Sequence, residues 1–219
     1  MNETRVVILG PPGSGKGTCA GFISKMYGTP VIRTGDMLRK VAREETERGR
    51  MAKEYLDRGE LVPDEIVISI VSKRLRMPDC DEGFVLDGFP RNLVQAEALD
   101  RILEDMRISL SHVLNIVIDA ETIVSRLSLR RSCPRCGAVY HLKNNPPNRD
   151  EICDECGAEL IQRSDDTEEI LRHRFEVYEE KSRPILERYA KAGLVKEIRG
   201  DLDINEIPEA LRRVLEDHR

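Results

Sequence analysis

The chain has 219 residues, of which 40% are hydrophobic and 34% are charged, so it can bury one main core with a smaller insertion. Its longest apolar runs fall far short of the roughly 18 residues of a membrane-spanning helix, and its N-terminus lacks a signal-peptide pattern, so we expect a soluble cytoplasmic protein. The formal net charge of −5 provides no overall field that would attract nucleic acid or an anionic membrane.

Short β-branched runs alternate with helical patterns along the whole chain. The predicted strands cover residues 5–10, 30–32, 84–87, 113–118 and 195–198. The first predicted helix begins near residue 18, and the others cover residues 37–58, 63–75, 93–106, 121–130, 167–191 and 208–217. This alternation predicts an α/β fold, with a mostly parallel sheet and helices on both of its faces.

The first predicted strand ends on a glycine-rich loop with the sequence GPPGSGKGT, residues 10–18. Glycines let the backbone N–H groups of such a loop face phosphate oxygens, and the following helix adds its positive N-terminal end. Lys16 is placed to reach the β and γ phosphates. Gly17 replaces the usual hydroxyl residue after the lysine, which favours a magnesium ion held mostly through water. The strand before and the helix after argue against a plain glycine turn.

A second motif, FVLDGFPR, occupies residues 84–91. Asp87 follows a buried strand, at the sheet edge where α/β proteins bind their ligands, and it is placed to hold a metal-bound water. Arg91 offers a guanidinium group that can bind a phosphate with two hydrogen bonds. A strand that ends in Asp-Gly is also a common turn, so this motif alone leaves a structural role open.

Seven arginines flank the predicted mouth of the sheet and a cysteine-rich segment. Each one alone is more typical of a solvated helix face. Together they supply the positive charge that phosphoryl transfer needs. They are Arg39, Arg126, Arg130, Arg131, Arg163, Arg172 and Arg174.

Two C-x-x-C-G units interrupt the α/β alternation within residues 132–163. Cys133 and Cys136 are separated by sixteen residues from Cys153 and Cys156. In a chain without an export signal, this spacing favours four metal ligands over disulfides. Four thiolates form a closed tetrahedral zinc site, which predicts a structural ion rather than a catalytic one. The nearby His141 is left outside the predicted site.

These residues together resemble an adenylate kinase of the long-lid, zinc-containing type, over essentially the whole chain. The resemblance rests on the phosphate loop, TGDMLR at 34–39, LVPDE at 61–65, DGFPR at 87–91 with Gln95, Arg130-Arg131, Tyr140-His141, NPP at 145–147 and RSDD at 163–166. It implies a P-loop NTPase-type core (residues 1–32, 63–128 and 167–219), an inserted helical AMP-binding segment (33–62) and a β-rich zinc lid (129–166). It further implies reversible, Mg²⁺-dependent transfer of the terminal phosphoryl group of ATP to AMP, which gives two ADP.

The resemblance also implies a role for individual residues. The implied ATP-binding residues are Gly13, Ser14, Gly15, Lys16, Gly17, Thr18, Arg126, Arg130, Val139, Tyr140 and Leu202. The implied AMP-binding residues are Thr34, Arg39, Glu60, Leu61, Val62, Gly88, Phe89, Pro90, Arg91, Gln95, Arg163 and Arg174, with Gln95 reading the adenine edge. The implied catalytic residues are Lys16, Arg39, Asp87, Arg91, Arg130, Arg163 and Arg174. Arg33 and Glu60 depart from the family's usual residues near the AMP segment.

Two alternatives stay open at this point. One is a kinase for another nucleoside monophosphate, or one that takes GTP as the donor, although the long lid and Gln95 favour ATP and AMP. The other is a zinc-ribbon module that binds nucleic acid beside a P-loop switch. Acidic residues offset the basic ones in the cysteine-rich segment, and the chain has nine aromatic residues and no Trp, so we expect no nucleic-acid partner. The size and the lack of a heptad pattern favour a monomer.

Overall fold

A parallel five-stranded sheet forms the centre of the part of the chain that this computed structural model describes, residues 4–143, 145–162 and 167–216. The strands in chain order are β1 (Thr4–Leu9), β2 (Val31–Arg33), β3 (Gly83–Asp87), β4 (His112–Val117), β5 (Arg130–Ser132), β6 (Val139–His141) and β7 (Val195–Arg199). The sheet has the order β2-β3-β1-β4-β7, while β5 and β6 form a separate antiparallel pair. The predicted parallel α/β fold is confirmed.

Helices cover both faces of the sheet. They are α1 (Lys16–Tyr27), α2 (Thr34–Val41), α3 (Glu47–Asp57), α4 (Asp64–Leu75), α5 (Leu93–Asp105), α6 (Ala120–Ser128), α7 (Glu168–Val177), α8 (Arg183–Lys191) and α9 (Ile207–Glu216). Alternate residues of β1 divide between two hydrophobic clusters, because successive side chains of a strand point to opposite faces. Val7 and Leu9 pack in the cluster that includes α4 and α5, and Val6 and Ile8 pack in the one that includes α1 and α9.

The register of the strands brings several chain segments to one edge of the sheet. Ile8 of β1 pairs with Asp87 of β3, and Val117 of β4 pairs with Arg199 of β7. Because all five strands are parallel, the loops that follow β1, β3 and β7 leave the sheet at the same edge. This is the edge at which open α/β sheets bind ligands.

Helical patterns are predicted over residues 37–58, and the structure interrupts them once. The structure has two helices here, α2 and α3, with an irregular segment at residues 42–46 between them. Thr46 begins α3 as its N-cap, since its Oγ1 accepts a hydrogen bond from the backbone N–H of Gly49 at 3.0 Å. The chain also passes close to Gly49, where a Cβ atom would lie 2.2 Å from the Glu44 carbonyl oxygen. Tertiary packing thus overrides the helical propensity of this stretch.

The long helix predicted over residues 167–191 is interrupted by a π-helical turn, Tyr178–Ser182, between α7 and α8. Pro184 follows this turn at the start of α8. Proline has no N–H to donate, and its ring clashes with the carbonyl group one turn earlier in a regular α-helix. The wider π turn lets the chain pass the proline without breaking the helical path.

The cysteine-rich segment forms a small β-rich unit. The pair β5–β6 is extended by isolated bridges between Ser132 and Ile161 and between Ile152 and Glu159. Two of its cysteines pack with Tyr140 and Leu160 in a cluster of their own. Over the residues that the structure describes, no helix combines the length and apolarity that crossing a bilayer requires.

Candidate active site

A cleft of about 1290 Å³ opens at the carboxyl edge of the sheet. Pockets for one small ligand usually measure about 300–1000 Å³, so this cleft has space for two nucleotide-sized ligands. It brings together the whole predicted ATP set and much of the predicted AMP set. The predicted residues that line it are Gly13, Ser14, Gly15, Lys16, Gly17, Thr18, Arg39, Leu61, Asp87, Gly88, Pro90, Arg91, Arg126, Arg130, Val139, Tyr140, Arg174 and Leu202.

The glycine-rich loop turns into α1 at the floor of this cleft. Gly15 takes a left-handed conformation with φ of 97°, which a side chain would strain, and its carbonyl accepts the first hydrogen bonds of the helix. Ser14 is 1% exposed, and its Oγ has no hydrogen-bond partner among the described residues. A buried hydroxyl without a partner is unfavourable, so an anion in the loop would satisfy it.

The ammonium group of Lys16 lies at the centre of the site. Its Nζ donates to the carbonyl oxygens of Gly10 at 2.8 Å and Pro11 at 2.6 Å. The pKa of Lys16 is lowered to about 7, mainly by burial and in smaller part by the charges of nearby arginines, although the charge of Asp87 acts in the opposite direction. A polyphosphate beside this group would favour its charged form.

Three arginines converge on Lys16, since Arg91, Arg174 and Arg130 all act on its pKa. Arg91 is held by its Nε, which donates to the Gly88 carbonyl at 3.0 Å. The convergence of several cations with a lysine suits a ligand that carries many negative charges.

Of the other predicted arginines, some line the cleft and some do not. Arg39 donates to the Asp36 carboxylate at 2.7 Å, and Arg126 donates to the Gly200 carbonyl just after β7. Arg131 and Arg172 do not line the cleft. Arg163 lies outside the described residues, so its predicted role stays a prediction.

The carboxylate of Asp87 faces the loop from the end of β3. A Cβ atom placed on Gly17 would lie 3.6 Å from Asp87 Oδ2, which shows how closely the carboxylate approaches the start of α1. The exposed Thr18 lines the same part of the cleft. Carboxylate, hydroxyl and phosphate oxygens are the ligands of Mg²⁺, so this donor set fits the ion that accompanies a bound nucleoside triphosphate.

A smaller cavity adjoins the cleft and shares several of its residues. Its lining residues are Gly35, Leu38, Arg39, Leu56, Gly59, Glu60, Leu61, Val62, Val67, Gly88, Arg91, Gln95 and Arg174. It includes most of the predicted AMP set. Among the members of that set that the structure describes, two line neither cavity: Phe89 is fully buried in the core, and Thr34 donates its hydroxyl to the Asp87 carbonyl at 3.0 Å.

Several residues of these cavities were not predicted as site residues. Arg199, Gly200 and Asp201 line the cleft at the end of β7. The rule that identified Asp87 applies equally to this strand end, so the signal was present in the sequence. Ser182 was also missed: its hydroxyl donates to the Arg91 carbonyl at 2.8 Å from within the π turn, and no local pattern indicates that contact.

The four predicted metal ligands form one cluster. The Sγ atoms of Cys133, Cys136, Cys153 and Cys156 all lie within 4.8 Å of one another. Two of the Sγ pairs are 3.4 and 3.5 Å apart, near the separation of about 3.8 Å that tetrahedral Zn–S bonds of 2.3 Å produce. These residues therefore fit a zinc ion with four thiolate ligands.

Tyr140 joins this cluster to the cleft. Its side chain lines the cleft, and its hydroxyl lies 3.5 Å from Cys153 Sγ while it accepts the N–H of Asp154 at 2.8 Å. The pKa of Cys153 is lowered to about 6, with the hydrogen bond from Tyr140 as the largest cause and backbone N–H groups as further causes, which favours the thiolate that a metal ligand must be. The cysteine cluster thus supports one wall of the cleft from behind.

A family model and the relatives found by comparison with known proteins all point to the same family. The sequence model of the family described as adenylate kinase matches residues 8–194. An adenylate kinase of Archaeoglobus fulgidus is 50% identical over 211 residues, which are 96% of this chain and 97% of the relative. Adenylate kinases of Thermoanaerobacter pseudethanolicus and Carboxydothermus hydrogenoformans are also 50% identical, over 97% of this chain and 98% and 99% of the relatives.

Proposed function

The chain belongs to the adenylate kinase family, and from this premise we propose that it transfers the terminal phosphoryl group of ATP to AMP, reversibly and with Mg²⁺, to give two ADP. One observation carries the assignment of residues: a phosphate-loop lysine and three arginines converge in a cleft with space for two nucleotides. The family membership does not favour a nucleic-acid-binding switch or another phosphate acceptor.

ATP is assigned to the part of the cleft that contains the phosphate loop. Its phosphates would lie on the backbone of residues 13–18 and against Lys16, where a buried and unpartnered Ser14 hydroxyl supports the assignment. Arg130, Val139 and Tyr140 would contact it from the cysteine-rich side. Its base would lie near Arg126 and Leu202, which is supported by the hydrogen bond that brings Arg126 to the loop after β7.

AMP is assigned to the smaller cavity beside the cleft. The phosphate of AMP would meet the arginines shared by the two cavities, Arg39, Arg91 and Arg174, and Glu60, Leu61 and Val62 line the same smaller cavity. Gln95, which is 1% exposed, would read the base. Thr34 and Phe89 would then act by positioning the backbone around Gly88, since their side chains line neither cavity.

The reaction needs alignment and charge stabilisation more than acid–base catalysis. The phosphate oxygen of AMP is already a nucleophile, so no general base is required. Lys16, Arg39, Arg91, Arg130, Arg163 and Arg174 would neutralise the charge on the transferred phosphoryl group and hold the two nucleotides in line. Bound Mg²⁺ would neutralise further charge on the phosphates of ATP, and Asp87 would orient its water ligands.

Two contacts connect the AMP-side segment, residues 33–62, with the cysteine-rich segment. Arg43 donates to the carbonyl of Pro134 at 3.1 Å, and a Cβ atom on Gly137 would lie 4.0 Å from Asp36 Oδ2. These contacts support a closed arrangement, in which the two segments meet over the cleft and exclude water. Exclusion of water matters because water is the competing acceptor of the phosphoryl group.

The zinc ion is proposed to stabilise the lid, residues 129–166, without a chemical role. Four thiolates leave no open coordination position. The same clustered, unbridged cysteines are consistent with a reducing compartment, and we propose a cytoplasmic enzyme that acts as a monomer.

Replacing a zinc ligand should therefore lower stability more than activity. For Cys153→Ser we expect less than about 0.2 zinc ions per chain and a midpoint of thermal unfolding lower by about 5–10 °C, with measurable activity at moderate temperature. Metal analysis and calorimetry would test this. Cys80→Ala, which changes a cysteine outside the cluster, should keep its zinc. A folded Cys153→Ser protein without any activity would instead indicate a catalytic metal.

The activity itself can be tested with ADP as the only nucleotide. Purified protein with Mg²⁺ and ADP should produce ATP and AMP in equal amounts, followed by phosphorus NMR without a coupling enzyme. A Lys16→Met protein prepared in parallel detects any contaminating kinase, because it should be nearly inactive. No reaction in a folded, zinc-replete sample would contradict the proposed function.

A further inference from the structure

The side-chain amide of Gln95 is held between two groups of opposite hydrogen-bonding character. Its Oε1 accepts the backbone N–H of Arg91 at 2.8 Å. Its Nε2 donates to Oδ1 of Asp64 at 2.7 Å. The amide is thus fixed at both of its ends, and Gln95 lines the smaller cavity.

The chemistry of these two partners determines which way the amide points. A carboxylate only accepts hydrogen bonds and a backbone N–H only donates them. Rotation of the amide by 180° would place its oxygen against the carboxylate of Asp64 and its NH₂ group against the N–H of Arg91. Both contacts would then be repulsive and two buried groups would lose their partners, which is unfavourable.

Asp64 is itself held in place by a second amide. Asn92 caps helix α5: its Oδ1 accepts the backbone N–H of Gln95 at 2.8 Å, and its Nδ2 donates to the same oxygen of Asp64 at 2.9 Å. Asp64 is the first residue of α4, so its carboxylate joins the N-terminal ends of two helices. It lines neither cavity, and the hydrogen bond to Gln95 connects it to a residue that does.

Each end of the Gln95 amide keeps one unused function. Nε2 has a second N–H, and Oε1 has a second lone pair. Adenine presents a ring-nitrogen acceptor (N1) beside an amino donor (N6), which this pair complements. The base of inosine monophosphate (IMP) presents the reverse, an N1–H donor beside an oxygen acceptor.

We propose that Asp64 is a positioning residue that fixes the sense of the Gln95 amide and thereby selects a 6-aminopurine over a 6-oxopurine monophosphate. The inference rests on the proposed function, because it takes Gln95 as the reader of the acceptor base. It assigns the selectivity to the pair formed by Gln95 and Asp64 rather than to Gln95 alone.

The test compares AMP with IMP as the acceptor, using Asp64→Ala and the isosteric Asp64→Asn. The ratio of kcat/KM for AMP to that for IMP should fall by about tenfold or more in Asp64→Ala, because the charge-assisted hydrogen bond is lost. We expect this fall to come from a higher KM for AMP and a lower KM for IMP, with kcat for AMP within about threefold of wild type. In Asp64→Asn the AMP-to-IMP ratio should fall by less, because the Asn side chain can still offer an oxygen to the Gln95 amide.

Glu65→Ala is the matched control. Glu65 is the next residue of α4 and is exposed. Its replacement by Ala removes the same charge from the first turn of the helix as the replacement of Asp64 does. Its AMP-to-IMP ratio should equal that of wild type, because Glu65 has no contact with Gln95 among the hydrogen bonds of the described residues.

Three results would overturn the inference. An unchanged ratio in folded Asp64→Ala, with equal losses for both acceptors, would make Asp64 a purely structural residue. An equal fall of the ratio in Glu65→Ala would attribute the effect to helix charge. A Gln95→Ala protein with an unchanged KM for AMP would remove the base-reading role, while ADP disproportionation would still test the transferase activity separately.

Discussion

Lys16→Met is expected to lower kcat/KM for ATP by about a thousandfold or more, which corresponds to about 4 kcal/mol of transition-state stabilisation. Methionine keeps an unbranched side chain that is one atom shorter, but it cannot donate a hydrogen bond to the phosphates. The ammonium group lies against the loop carbonyls of Gly10 and Pro11, so it is held within the loop that would bind the phosphates. Steady-state kinetics with varied ATP at saturating AMP would measure the loss.

Lys73→Met is the control for charge alone. Lys73 lies in α4, is exposed, lines neither cavity and carries the same charge. Its removal should change kcat/KM by less than about threefold, since a solvated charge outside the cleft is strongly screened. A similar loss in both variants would mean that general attraction of the nucleotide, rather than contact with Lys16, accounts for the effect.

The lowered pKa of Lys16 adds a pH dependence to the same prediction. With a pKa of about 7, Lys16 is mostly charged at pH 6 and mostly neutral at pH 8 in the free protein. Bound phosphate favours the charged form, so ATP binding takes up a proton above pH 7. The apparent Kd for a non-hydrolysable ATP analogue with Mg²⁺ should rise by about tenfold from pH 6 to pH 8. Calorimetry should find no such rise in Lys16→Met.

The parts of the site that could be predicted from sequence are those whose chemistry is local. The phosphate loop and the C-x-x-C units carry their function in consecutive residues, and the strand before Asp87 indicates its place at the sheet edge. The break between α2 and α3 could not be predicted in this way. The residues there are compatible with a helix, and it is the Thr46 cap and the close packing at Gly49 that divide it.

Contacts between distant segments form the other limit of sequence analysis. Gln95 was predicted to read a base, but its partner Asp64 lies 31 residues earlier in the chain and on another helix. The LVPDE motif that contains Asp64 indicated only the start of α4. Similarly, Ser182 reaches the Arg91 carbonyl across 91 residues. Neither contact has a sequence signal, because each depends on how two helices pack against the sheet.

Arg174 depends on a close approach of this kind between helix α7 and the turn at Gly59. Gly59 has a φ of 73°, and a Cβ atom there would lie 2.9 Å from Cγ2 of Ile170 and 3.1 Å from Cγ of Arg174. The missing side chain at Gly59 lets α7 pack against the AMP-side segment. The guanidinium group of Arg174 can then extend into both cavities, where it acts on the pKa of Lys16.

Arg174→Ala and Arg91→Ala are each expected to lower kcat/KM by a factor of about 100 or more, or about 3 kcal/mol. Each removes a charge from the region where the two nucleotides would exchange the phosphoryl group. Because both arginines would act on one transition state, the double variant should lose less than the product of the single losses. Arg172→Ala, an exposed position on the same helix that does not line the cleft, should stay within about threefold. Changes below threefold in both single variants would exclude the proposed arginine clamp.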